Sequence, residues 1–193
     1  MISGVAWRSA LAGLALGMLL LRAAIGEAAV SIVPTWIRND PAARAVSLDV
    51  AADWNDNNAA GCGNLNGYFR GSVTIRIPAG WSVTIDYHVI GDKHRHSLML
   101  TRPYDPEDLP IKVAEAEAVD GVRSRSPLAG LAPGDNDRMQ FIAKPGRYWL
   151  ISAKGTDLIS GHWIRLEVEE GLAKAELSFN DDRVRRGHPP GRM

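Results

Sequence analysis

The chain has 193 residues, 46% of them hydrophobic, with 22 basic against 22 acidic side chains and one cysteine, Cys62. That length holds one domain of ordinary size plus a leader, and the balanced charge removes the basic footprint through which proteins bind nucleic acid. A single cysteine excludes an internal disulfide framework, a Cys-rich zinc site and a CxxC redox pair, and a mean hydropathy of −0.12 excludes a polytopic membrane protein.

The first segment reads as a leader. Arg8 precedes an uncharged run of apolar and small residues from Ala10 to Leu21, closed by Arg22 and followed by Gly26-Glu27-Ala28-Ala29. A membrane span needs about 20 consecutive apolar residues. This run is roughly a dozen, the length of a signal-peptide core. The small residues Gly26 and Ala28 place cleavage after Ala28, so residues 1–28 are expected to be a signal peptide. The competing reading is an uncleaved N-terminal membrane anchor with Arg22 snorkelling to the interface. Either way the folded part is expected in a periplasm or outside the cell, touching a membrane only through this segment.

Strand follows strand after the leader. Val46, Leu48 and Val50 alternate with Ser47 and Asp49; Val73, Ile75 and Ile77 alternate with Ser72, Thr74 and Arg76; Val83, Ile85, Tyr87 and Val89 alternate with Ser82, Thr84, Asp86 and His88. Further runs lie at Ser97–Thr101, Arg138–Ala143, Arg147–Ala153, His162–Val168 and Ala173–Phe179. This is the period-two pattern of half-buried strands, and it is punctuated by Pro78-Ala79-Gly80, Pro133-Gly134, Pro145-Gly146 and Gly171. About eight short strands with turns between them predict an all-β sandwich.

Two stretches break the pattern. Residues 55–71, rich in Asn and Gly, read as a long polar loop holding Cys62. Residues 103–135 carry Pro103, Pro106 and Pro110 and then an Ala/Glu run from Val113 to Val119 that allows one short helix. A connection this long is commonly functional or a crossover between sheets. The domain is expected to span 30–179, and 180–193, with Arg183, Arg185 and Arg186, reads as a flexible basic tail.

Particular residues carry more than a fold class. Leu65-Asn66-Gly67-Tyr68, then Ile77-Pro78-Ala79-Gly80-Trp81, leads to His96-Ser97-Leu98-Met99. Pro127-Leu128-Ala129-Gly130-Leu131, Gly146-Arg147-Tyr148-Trp149-Leu150 and Gly161-His162-Trp163-Ile164 follow. Their order and spacing resemble sulfocyanin and sulfocyanin-like proteins, a branch of the cupredoxin family of blue copper proteins, from roughly Trp36 to Val168. The resemblance implies a cupredoxin-like Greek-key β-sandwich. It also implies a copper held by a His in the HS segment and by a later C-x4-H-x4-M block. Laid on that spacing, the first His is His96, the cysteine position is Ser152, the second His position is Asp157 and the Met position is His162.

One of four ligands is kept, and the thiolate that selects copper and gives the trigonal blue site is replaced by a hydroxyl. Cys62, in the early polar loop, reads as a buried or inert thiol. His96, Asp157 and His162 would converge if the family geometry holds, with His94 as a further candidate two residues from His96. Two imidazoles and a carboxylate suit zinc, copper(II) or iron(II). Arg95 and Lys154 lie close in sequence and disfavour a cation there, and Asp157 has the option of pairing with one of them or with His162.

The other chemistry-bearing residues take plainer roles. His88 falls on the polar face of its strand, Trp81, Trp149 and Trp163 read as core or rim aromatics, and Glu115 and Glu117 as a solvated face. No Ser-His-Asp order, Gly-rich phosphate loop or HExxH motif argues for an enzyme. The expectation is therefore an exported, degenerate sulfocyanin-like domain with no resident cofactor. It would act through a protein partner, as an accessory subunit of a membrane-bound electron-transfer assembly. The alternatives are a copper or zinc protein with a thiolate-free His/Asp site and, behind it, a copper electron carrier.

Overall fold

The computed structural model describes residues 31–53, 63–90 and 93–180. The leader, residues 54–62 with Cys62, and the tail from 181 onward lie outside the described residues.

Among the described residues ten strands form two sheets. In chain order they are β1 (Ser31–Ile32), β2 (Ile37–Asp40), β3 (Ala45–Ala52), β4 (Val73–Pro78), β5 (Ser82–Val89), β6 (Met99–Thr101), β7 (Asn136–Ile142), β8 (Gly146–Ile151), β9 (Trp163–Glu169) and β10 (Glu176–Phe179). One sheet runs β1-β10-β4-β9-β8-β6 and the other β2-β3-β5-β7. Pairing is antiparallel except for β3 with β5 and β4 with β9, which are parallel. All eight expected strands are present, and β1 and β2 are additional. At two and four residues they are too short for alternation to mark them.

The alternation does what its period requires. Val46, Leu48 and Val50 of β3, Ile75 and Ile77 of β4, Val83, Ile85 and Tyr87 of β5, and Ile164, Leu166 and Val168 of β9 all point between the sheets and are buried. Burying such side chains is the main force holding the layers together, at about 1.5–3 kcal/mol for each large one. The Ser, Thr and charged residues between them face outward.

Strand β8 departs from the pattern because both of its faces are covered. Leu150 packs into the main core, while Trp149 and Ile151 join Met99, Val113, Ala153, Leu158 and Trp163 in a second cluster, roofed by Tyr104, Leu109 and Ala118. Trp149 and Trp163 stack face to face at 3.7 Å between centroids. The long connection from β6 to β7 is thus a crossover between the sheets that also seals the outer side of one of them. Its Ala/Glu run makes two single-turn 3-10 pieces, Glu115–Glu117 and Val119–Gly121, in place of an α-helix. Asp120 at φ 51° and Gly121 at φ 71° turn the chain left-handed there, which ends any helix.

The end of the expected polar loop is also more structured than its composition suggested. Leu65 and Tyr68 exchange both backbone hydrogen bonds across Asn66-Gly67, each of which has positive φ. Asn-Gly is the pair that a two-residue turn of this hand prefers. The Asn66 side chain then clamps β3, accepting from the Ala51 N–H at 2.7 Å and donating to the Asp49 carbonyl at 2.9 Å.

Candidate metal centre

Three chain segments meet at one end of the sandwich. Asp53 follows β3 directly, held by its N–H to the Asn64 carbonyl at 3.0 Å. His96 precedes β6 and is fixed by paired backbone bonds with Leu131, at 3.1 and 2.7 Å. Ser152, Asp157 and His162 come from the β8–β9 connection. That connection is closed by Ser152 N–H to the His162 carbonyl and His162 N–H to the Asp157 carbonyl, both 3.0 Å.

His96 lies between two carboxylates. Its Nδ1 is 2.9 Å from Asp157 Oδ2, and its Nε2 is 2.5 Å from Asp53 Oδ2. Burial alone would push the imidazole down, but hydrogen bonds and charge from Asp157 and Asp53 outweigh it and raise the pKa to about 9. Burial would raise both carboxyls; the bonds to His96, and for Asp157 also to Ser152, hold them below the usual carboxylate range. At neutral pH the group is an imidazolium clamped between two anions.

His162 is the opposite case. It is fully buried, and its ring lies 4.6 Å from that of His96. Burial, reinforced by the His96 charge, lowers its pKa to about 4, so it is neutral. Among the described residues neither ring nitrogen makes a hydrogen bond, and Nδ1 is 3.9 Å from Asp157 Oδ2. The Asn64 backbone lies near enough to favour the protonated ring, without bond geometry. A buried polar group left unpaired costs about 1–3 kcal/mol, so two on one ring call for an explanation. Gly63 presses on the same ring: a Cβ there would stand 2.3 Å from His162 Nδ1. The backbone one residue after Cys62 therefore touches the cluster.

Ser152 is fully committed. Its hydroxyl donates to Asp157 Oδ2 at 2.6 Å and accepts from the Ser97 N–H at 3.1 Å, while Ser97 Oγ in turn accepts from the Ala153 N–H at 2.9 Å. The Ser152 hydroxyl supports a carboxylate. The described donor set therefore does not fit a trigonal His2Cys blue copper site, which needs a soft thiolate in the plane. It does fit a borderline divalent ion: Asp53, His96 and His162 each offer an atom within 4.8 Å of the others.

Of the residues singled out from the sequence, His96, Asp157 and His162 come together. His94 does not join them; it is exposed, with its ring edge-on to His96 at 6.4 Å. Asp157 pairs with His96 and Ser152 instead of a basic neighbour, because Arg95 Nε donates to the Ala129 and Gly130 carbonyls. His88 pairs with Asp49 at 3.2 Å on the outer face. Asp53 escaped notice. It falls between a strand and a polar loop, and its only signal is an acid directly after the fully buried Ala52.

No curated protein sequence matches the chain. Among solved structures it is similar to a copper protein, rusticyanin, at TM-score 0.50 and 14% identity over 73% of this chain and 88% of that one. It is also similar to auracyanin from Roseiflexus castenholzii, at TM-score 0.45 and 12% identity over 64% of this chain and 96% of that one. A further match is rusticyanin from Thiobacillus ferrooxidans, at TM-score 0.44 and 15% identity over 69% and 86%. Identities this low speak to fold alone. The profile of the sulfocyanin (SoxE) domain matches residues 35–175, which takes in strands β2 to β9 and every residue of the cluster, and the chain belongs to that cupredoxin family.

Proposed function

We propose that this chain is a sulfocyanin-family domain that does not carry electrons through a copper–thiolate centre, and that it serves as an exported accessory subunit working by protein contact. What supports this reading is Ser152, which the family's ligand spacing lays on the thiolate position and whose hydroxyl is bonded to Asp157 and Ser97. A hydroxyl gives no covalent copper–sulfur bond, and without it the fast one-electron chemistry of a blue site has no route. Export is supported by the signal-peptide pattern of residues 1–28. The electron-transfer setting of the partner is carried over from the family.

The test is to load the purified protein with copper and record its visible spectrum and voltammogram. The expected result is no intense charge-transfer band and no reversible one-electron couple. A strong band with a reversible couple would overturn the reading and would assign Cys62, the only thiol in the chain, as the sulfur donor.

A further inference from the structure

The cluster leaves an arrangement that its own hydrogen bonds do not explain. Asp157 holds His96 through Nδ1, and Ser152 in turn donates to that same carboxylate oxygen. Metal-binding histidines are oriented in this way, with the second ring nitrogen tied to a carboxylate so that the first presents a fixed lone pair. The nitrogen so presented is His96 Nε2, on the side of Asp53. His162 stands next to it, wholly buried, with both ring nitrogens unpaired among the described residues. Asp53 comes from the opposite sheet, directly after β3, and its chain direction is set by a left-handed φ of 55°. Nothing in the family's ligand pattern uses a residue at that position.

We infer that Asp53, His96 Nε2 and His162 form a three-ligand site for a borderline divalent cation of the zinc or copper(II) class, with Asp157 and Ser152 acting as positioning residues behind His96. Asp53 supplies the anionic ligand that the missing thiolate would have supplied. Two neutral imidazoles and one carboxylate are a donor set that zinc accepts, with a fourth position left to water or a ligand. Binding displaces the proton from His96 Nε2 to solvent, and the metal takes its place between the same imidazole and Asp53. The two carboxylates then face a divalent charge in place of a single one, which neutralises the cluster. This inference shares with the proposed function only the premise that sulfur is not a ligand, and zinc tests it without any redox readout.

The experiment is zinc titration of the full chain after chelator treatment, by calorimetry with metal analysis. It is repeated on Asp53→Asn, His162→Gln and Asp157→Asn, with Arg76→Met as a distant control. One equivalent of zinc is expected for the wild type and the control. Asp53→Asn and His162→Gln should each weaken binding at least 100-fold, as expected for loss of one of three ligands. Asp157→Asn should keep one equivalent and weaken it about 10–100-fold, the range for a residue that orients a ligand. Nitrogen-15 NMR of the wild-type imidazoles covers the event that a variant fails to fold: zinc should shift the ring nitrogens of both His96 and His162. Absence of stoichiometric zinc, or unchanged imidazole resonances, overturns the site and leaves the redox-silent reading standing. Binding indifferent to both Asp53→Asn and His162→Gln overturns it too. If copper(II) loading gives an intense sulfur charge-transfer band, both readings fall. A reversible couple without such a band, with zinc binding that depends on Asp53, removes only the proposed function.

Discussion

Arg76 and His96 each sit between two carboxylates, yet the two clusters have little else in common. Arg76, on β4, forks onto Glu169 with bonds of 2.7 and 2.6 Å and reaches Glu176 at 2.5 Å, tying β4 to β9 and β10. Its side chain and that of Glu169 are about one-third exposed, at 30% and 35%, so water completes whatever the protein leaves open. The His96 cluster has 6% exposure at the imidazole and none at His162, and there two nitrogens stay unpaired among the described residues. A guanidinium with a carboxylate on the surface is a register pin of modest worth. The contrast teaches that charge pairing alone does not mark a site; here the mark is a pair of unpaired nitrogens on one wholly buried ring beside two carboxylates.

The strongest way to break that contrast is Asp157→Ala. It strips the acceptor from His96 Nδ1 and from Ser152 Oγ at once, leaving a buried imidazolium with one partner. Urea unfolding of the metal-free protein should show a loss of about 3–5 kcal/mol, as for breaking a buried ion pair. A loss below about 1 kcal/mol, the usual worth of an exposed pair, would put this cluster on a level with the surface one.

Next comes pH. Folded His96 keeps its proton up to about 9 against an ordinary 6.5, so its contribution is complete below about 6.5 and is lost as pH rises through 9. Folded His162 takes a proton only near 4, so its contribution is complete above about 6.5 and is lost as pH falls through 4. Asp53 and Asp157, both lowered, add to the acid limb. Stability of the chelated protein should therefore peak near pH 6.5 and fall on both sides, each limb on the order of a few kcal/mol. His96→Gln should flatten the alkaline limb, and His162→Gln should shift the acid limb to lower pH. A profile level from pH 5 to 9 would contradict the opposite protonation of the two rings.

Gly63→Ala sharpens the comparison from the side of packing. The added methyl would meet His162 Nδ1 at 2.3 Å, so either the ring or the backbone must move. Overpacking of this kind costs about 1–3 kcal/mol, which thermal unfolding would register. An unchanged midpoint would mean that the ring sits in open space. The smallest effect belongs to Arg76→Met, about 1 kcal/mol or less and weaker still in high salt. A larger, salt-insensitive loss would show that the surface cluster is more than a register pin.

How much of this was readable beforehand follows from the range over which each feature is decided. Strands β5 and β9 were legible because Val83, Ile85, Tyr87 and Val89, or Ile164, Leu166 and Val168, declare their buried face within eight residues. Strand β8 was legible in place but not in environment, since Trp149 and Ile151 are buried by a segment that arrives from residues 104–118. The Ala/Glu run suggested a helix from composition, and the left-handed turn at Asp120-Gly121 decided otherwise. Ser152, Asp157 and His162 could be aligned because a single turn between β8 and β9 holds all three. His94 was a reasonable neighbour in sequence, but the fold leaves its side chain exposed, with its ring 6.4 Å from that of His96.

The amino-acid order by itself determined a sandwich of alternating strands, and its spacing laid Ser152 on the position where the resemblance expects sulfur. Both are local facts, a period of two and a fixed spacing. Tertiary structure alone decided that Asp53, 43 residues before His96, would occupy the other nitrogen of that imidazole. It also decided that His162 would lose all contact with water. The partner of a buried polar atom is whatever group the fold carries there from elsewhere in the chain, and no local pattern encodes that arrival.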